Sequence, residues 1–158
     1  MDPMAKRMMD IIDGRRDELI SLARDVYTHA EMGYCETRTA NLFAEQMRAL
    51  GLRVTTGHAI TGVKAYMEGM GRGKMSLALI GEMDALQIPA HACANPQTGA
   101  AHCCGHHAQL AGVIGAAWAL TDPDVRQALD GQIVFFAVPA EEYGEIAFKK
   151  RLIEEGKI

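Results

Sequence analysis

The run Gln132-Ile133-Val134-Phe135-Phe136-Ala137-Val138 constrains the fold of this 158-residue chain more than any other segment. It is almost continuously apolar, rich in β-branched and aromatic residues, and bounded by Gly131 and Pro139. Such a run predicts a strand buried on both faces, and a buried strand calls for a sheet with covering layers. Around it the periodicity alternates between helix and strand, which points to an α/β layered domain.

Apolar residues recur at helical spacing from Met4 to about Ala30, weakened in the middle by Gly14, and again from Thr37 to Leu50. Gly51 follows the second helix, where a left-handed cap residue is expected. Short strand-like runs follow at Leu52–Thr55, Gly62–Met67 and Ser76–Ile80. Gly69, Gly71 and Gly73 read as a hairpin-like loop between the last two. Leu86–Ala101 holds two prolines, Asn95 and Gly99, and reads as a long loop for which a functional reason is sought. Small residues dominate Gly105–Leu120, a helix suited to close packing on a sheet, which Thr121-Asp122-Pro123 ends. The chain finishes in a charged helix, Ile146–Glu155.

Length fits one domain or part of one. With 49% apolar and 23% charged residues the chain is neither disordered nor low-complexity. A net charge of −4 argues against a nucleic-acid partner. No apolar run approaches the ~20 residues that span a bilayer, and the N-terminus is too charged for a signal peptide. The expectation is a soluble, cytoplasmic protein with no membrane partner. Cys35, Cys93, Cys103 and Cys104 are then free thiols, and the adjacent pair is poorly placed for a mutual disulfide.

Three stretches carry chemistry. Ala101-His102-Cys103-Cys104-Gly105-His106-His107 concentrates imidazole and thiol at a loop–helix junction, a donor set suited to zinc or a similar transition metal. Gly105 would let Cys104 and His106 converge on one ion. Pro139-Ala140-Glu141-Glu142 follows the buried strand, and strand ends are where ligands gather in open α/β sheets. One carboxylate could bind metal while the other acts as general base. Gly81-Glu82-Met83-Asp84-Ala85 places further acids at a second strand end. Taken singly, each stretch also reads as helix caps or solvated acids; their convergence favours a site. His29, Glu31 and Glu36 are expected to cap or to hydrogen-bond internally, and His58 and His91 to be structural.

In this order, His29-Ala-Glu-Met-Gly-Tyr-Cys-Glu36, Gly81-Glu-Met-Asp-Ala-Leu86, Gly99-Ala-Ala-His-Cys-Cys-Gly-His106 and Pro139-Ala-Glu-Glu142 resemble the amidohydrolase branch of the zinc aminoacylase and carboxypeptidase family. Hippurate, aminobenzoyl-glutamate and indole-acetyl-amino-acid hydrolases are in that branch. The resemblance implies a three-layer α/β/α catalytic domain and a two-metal hydrolase of N-acyl amino acids or similar small amides. By position it makes Cys104, His106 and Glu142 metal ligands, Glu141 the general base and Asp84 a residue that orients the site without ligating. It implies two divalent ions per complete site, zinc or manganese, with nickel and cobalt also compatible. Homo-oligomerisation is a further expectation. The chain departs from the family pattern at Cys103, where Ala is frequent, at His107, where an acid or Asn is usual, and at Gln109, where a second His is usual. Family members run well beyond Ile158, so the resemblance implies an N-terminal portion lacking the lid and later strands. The alternative reading is a catalytically inactive fragment that binds metal or a partner. A thiol hydrolase using Cys104 with His106 as base is a third, disfavoured by the awkward spacing of the two.

Overall fold

The computed structural model describes residues 1–69, 73–142 and 146–157, with the side chains of 146–149 left out. Gly71 and Ile158 lie outside the described residues. The fold is mixed α/β.

The first helical stretch is two helices, α1 (Pro3–Gly14) and α2 (Arg16–Thr28). They part at Arg15, whose φ of −114° and ψ of 20° break the helix just after the glycine. Asp2 caps α1 by accepting the Met4 N–H, with Pro3 in the first turn. The Arg15 guanidinium lies 3.5 Å over the Trp118 ring. Helix α3 (Thr37–Ala49) buries Phe43, Ala44 and Met47, and Gly51 follows it with φ 73°.

Strands β1 (Arg53–His58) and β2 (Gly62–Glu68) form an antiparallel hairpin. The hairpin expected between Gly62–Met67 and Ser76–Ile80 does not form. Strand β3 (Ser76–Glu82) is separated from β2 by the apolar strand β6 (Gln132–Val138), giving the order β1-β2-β6-β3. Strand β6 runs antiparallel to β2 and parallel to β3. The most apolar strand takes an inner position, where it is paired along both edges. A parallel β3–β6 pair requires a crossover, and helix α4 (His106–Leu120) supplies its main element.

The expected loop 86–101 is pinned at its ends by two short antiparallel strands, β4 (Leu86–Gln87) and β5 (Ala100–Ala101). Helix α4 ends at Leu120, before Thr121-Asp122-Pro123 as expected, and Pro123 also opens a short helix, α5 (Pro123–Gln127), capped by Asp122, whose carboxylate also binds Arg7 of α1 at 2.7 Å. Helix α6 covers Ile146–Glu154. No helix of the described residues is long and apolar enough to cross a membrane.

One sheet face carries Val63, Ala65 and Met67 of β2 with Ile133, Phe135 and Ala137 of β6, and α3 and α4 bury it through Phe43, Met47, Leu110 and Ile114. The other face carries Tyr66, Val134 and Phe136, half-buried, and Ala78 and Ile80, exposed. Strand β6 is therefore fully buried on one face, and its outward side chains are only half covered among the described residues.

Strands β3 and β6 finish level, with Glu82 opposite Val138. The segments after both emerge side by side, and the first turn of α4 returns to the same edge. That edge holds the chemistry.

Candidate metal centre

His106 is the centre of the arrangement. It opens α4 directly after Gly105, whose φ of 107° is a left-handed turn that a side chain would strain. The imidazole is 4% exposed. Its Nδ1 lies 2.7 Å from the Asp84 carbonyl oxygen. A carbonyl can only accept, so Nδ1 carries a hydrogen and Nε2 is the nitrogen turned toward the carboxylates. Around Nε2 stand Glu82 Oε2 at 3.0 Å, Glu142 Oε1 at 3.6 Å and Glu141 Oε2 at 3.7 Å.

Two sets of donor atoms share this nitrogen. Cys104, His106 and Glu142 form one and Glu82, His106 and Glu141 the other, each with its atoms within 4.8 Å of one another. The Cys104 thiol is exposed, and its hydrogen bond to the Glu142 carboxylate pushes its pKa up, reinforced by the charges of Glu142, Glu141 and Glu82. Asp84, 1% exposed, is fixed between elements: its Oδ2 accepts the Glu142 N–H at 2.9 Å, while its Oδ1 lies 3.3 Å from His106 Nδ1. Asp84 Oδ1 and Glu142 Oε1 are buried without hydrogen-bond partners. Glu141 is the open member, with its side chain 51% exposed.

Three carboxylates around one imidazole nitrogen repel one another, and a divalent cation would relieve that repulsion. Thiolate, imidazole and carboxylate donors suit zinc and its neighbours. The residues present therefore fit a divalent metal.

The five residues singled out from the sequence, Cys104, His106, Glu142, Glu141 and Asp84, thus lie at one strand-end site. The sequence placed Glu82 at a strand end without giving it a role, and among the described residues the geometry brings it nearer to His106 Nε2 than Glu141 or Glu142. Gln109, noted only as a departure, holds Glu82 at both ends: its Oε1 accepts the Glu82 N–H at 2.6 Å and its Nε2 donates to Glu82 Oε2 at 3.0 Å.

His102 and His107 sit behind the centre with ring centroids 5.4 Å apart. Burial, helped by the charges of His107 and His106, lowers the His102 pKa to about 4, and burial also lowers that of His107. Glu31 accepts the N–H groups of Arg38 and Thr39 and so caps α3. His58 pairs with Thr55 at 2.7 Å, and His91 accepts the Cys93 N–H.

No family model matches the chain. It is 31% identical over 160 residues to thermostable carboxypeptidase 1 of Saccharolobus solfataricus, covering 99% of this chain and 40% of that protein. To an IAA-amino acid hydrolase of Arabidopsis thaliana it is 32% identical over 145 residues, covering 89% of this chain and 32% of the relative. To the N-acetyl-L-cysteine deacetylase of Bacillus subtilis it is 30% identical over 144 residues, covering 89% and 33%. Among solved structures, the Bacillus subtilis YXEP protein, a dinuclear metal-binding peptidase of the M20 family, matches with a TM-score of 0.75 and 28% identity, over 91% of this chain and 40% of its own. The aminobenzoyl-glutamate utilization protein of Klebsiella pneumoniae, at 22% identity and a TM-score of 0.67, shares the fold over 86% of this chain and 40% of its own. The chain spans 40% or less of the length of each of these curated relatives. Over most of its length, then, the relatives and structural neighbours of this chain are amidohydrolases and peptidases of the M20 family.

Proposed function

We propose that this chain forms the metal-holding part of a hydrolase that cleaves the amide bond of N-acyl amino acids or similar small amides. The observation that carries the reading is the His106 imidazole, with Nδ1 tied to a carbonyl and Nε2 facing a thiol and three carboxylates. Cys104, His106 and Glu142 would hold a divalent ion, zinc or manganese, and Glu82 extends the donor set toward a second. When bound, such an ion acidifies water and polarises an amide carbonyl. The chain's own residues do the rest. Asp84 fixes the imidazole tautomer through its carbonyl and steadies Glu142 through its carboxylate. Glu141 lies 3.7 Å from His106 Nε2 with half its side chain free. It is placed to take the proton of an attacking water and return it to the leaving amine. The substrate class is supported by relatives named for amino-acid conjugates and N-acetyl-cysteine.

Calorimetric titration of the chain with zinc and with manganese tests the centre. Tight binding that Cys104→Ser weakens by about tenfold or more is expected, as for the loss of one anionic ligand. Glu141→Gln is expected to keep metal affinity and to lower hydrolysis of a hippurate-like substrate by roughly 100-fold or more. Undiminished hydrolysis in that variant removes Glu141 from the base role. The exposure of Cys104 and Glu141 favours one alternative, a metal-binding chain without turnover, and binding with no hydrolysis in the parent chain would establish it.

A further inference from the structure

Glu36 lies outside the candidate centre and is wholly buried just before α3. Its Oε1 accepts the N–H of Ala140 at 2.8 Å, across 104 residues of sequence. Its Oε2 accepts the Thr61 hydroxyl at 2.6 Å. The backbone amides of Tyr34 and of Glu36 itself also face this carboxyl group.

Ala140 is an unusual target. It is fully buried and has a φ of 55°, the left-handed region that a Cβ disfavours. Without Glu36 its N–H would be a buried donor with no acceptor, which folded chains avoid. The two residues that follow are Glu141 and Glu142. Had Ala140 continued as extended strand, the backbone would carry both carboxylates onward along β6; the left-handed residue instead turns them beside His106. Two residues further on, Asp84 Oδ2 holds the Glu142 N–H. The turn is thus gripped at two alternate amides, by Glu36 at 140 and by Asp84 at 142, with the side chain of Glu141 free between them. Joining α3 to the sheet would not require this grip, since Phe43 and Met47 already bury that contact.

We propose that Glu36 is a positioning residue for the centre: its carboxyl group holds Ala140 in the left-handed conformation and thereby fixes where Glu141 and Glu142 stand. The inference rests on the metal-centre reading above and names a residue that acts on it without touching it. Thr61 belongs to the same device, because its hydroxyl fixes the carboxyl group that does the holding.

The test compares the full chain with Glu36→Ala, Glu36→Gln and Thr61→Val, using amide hydrogen exchange and zinc titration. In Glu36→Ala, the Ala140 and Glu142 amides are expected to exchange at least roughly tenfold faster while amides within α4 keep their protection. Zinc affinity is expected to fall by a similar factor. Glu36→Gln, whose amide oxygen can accept from Ala140 and whose NH2 can donate to Thr61, is expected to restore both. Thr61→Val, which leaves Glu36 in place, is expected to show the same pattern at smaller size and serves if Glu36→Ala does not fold. Unchanged protection at Glu142 in a folded Glu36→Ala chain overturns the proposal, since the turn then holds without the carboxyl group. Equal acceleration across α4 overturns it too, since Glu36 then supports the whole fold. Should the parent chain bind no zinc, the metal reading falls alone, and hydrogen exchange still decides the role of Glu36.

Discussion

Burial pushes the Glu36 carboxyl group above the ordinary glutamate range, against the opposing pull of the Thr61 hydroxyl and the surrounding backbone amides. A carboxyl group raised on folding favours the native state fully below its unfolded pKa, near 4.5, and loses that contribution as pH rises through the folded value. Glu36→Gln cannot ionise and removes this dependence. Denaturant midpoints of the two chains, measured from acid to mildly alkaline pH, are expected to move steadily in favour of the glutamine variant as pH rises. A constant difference across that range would show that Glu36 does not ionise at a raised pKa. Residues of this kind mark how far single positions can be read from sequence. Cys104, His106, Glu141 and Glu142 were legible because thiol, imidazole and paired acids crowd short segments at predicted strand and helix ends. Glu82 was legible as an acid but not as a neighbour of His106, because that depends on β3 and β6 ending level. The partner of Glu36 lies 104 residues away, and nothing local announces it.

Helices and strands were legible as elements wherever periodicity was strong, and misread where one residue type serves two purposes. Thr121-Asp122-Pro123 does end α4, at Leu120, but proline is equally at home in the first turn of a next helix, and α5, which Asp122 caps, is not announced by a stop signal. The glycines after β2 read as a hairpin, but turn residues cannot say which strands pair, and the apolar β6 wins the inner position. The same ambiguity makes glycine a sharp probe of the contact between α4 and β3. A Cβ on Gly81 would lie 3.1 Å from Val113 Cγ2 and 3.2 Å from the Leu110 Cα. The backbone atom cannot turn aside, so Gly81→Ala is expected to cost about 1–3 kcal/mol through overpacking. Gly112 stands within α4, exposed, with no atom within 4 Å of the same position. Gly112→Ala is expected to stabilise the chain by about 0.5–1 kcal/mol, the ordinary helix preference of alanine. Chemical denaturation of both variants checks the pair, and equal effects of one sign would show that α4 does not sit on β3 as closely as described.

At the scale of the whole molecule, the helices cover one sheet face far better than the other. Ala78 pairs with Val134 and Ile80 with Phe136 on the less covered face, beside the edge of β3 that pairs with no other strand among the described residues. Ile80 is 53% exposed, and Leu77 and Met75 on the same segment are 55% and 78% exposed. An apolar face next to an unpaired strand edge is a template for association, and a net charge of only −4 opposes it weakly. The chain is therefore expected to self-associate with rising concentration in sedimentation velocity. Ile80→Lys, which places a charge in the middle of this patch at a position already half open, is expected to shift it toward monomer without unfolding it. A parent chain that stays monomeric throughout would remove the association reading. The same variant separates surface from site. Ile80 and Glu82 alternate onto the same side of β3, so whatever covers the patch also approaches the metal centre. Cys104, His106, Glu142 and Glu82 nevertheless all come from one chain, and Asp84 and Gln109 of that chain hold the last three. Zinc affinity of the Ile80→Lys monomer is accordingly expected to match that of the parent. A large loss would mean that the centre is completed only when the open face is covered.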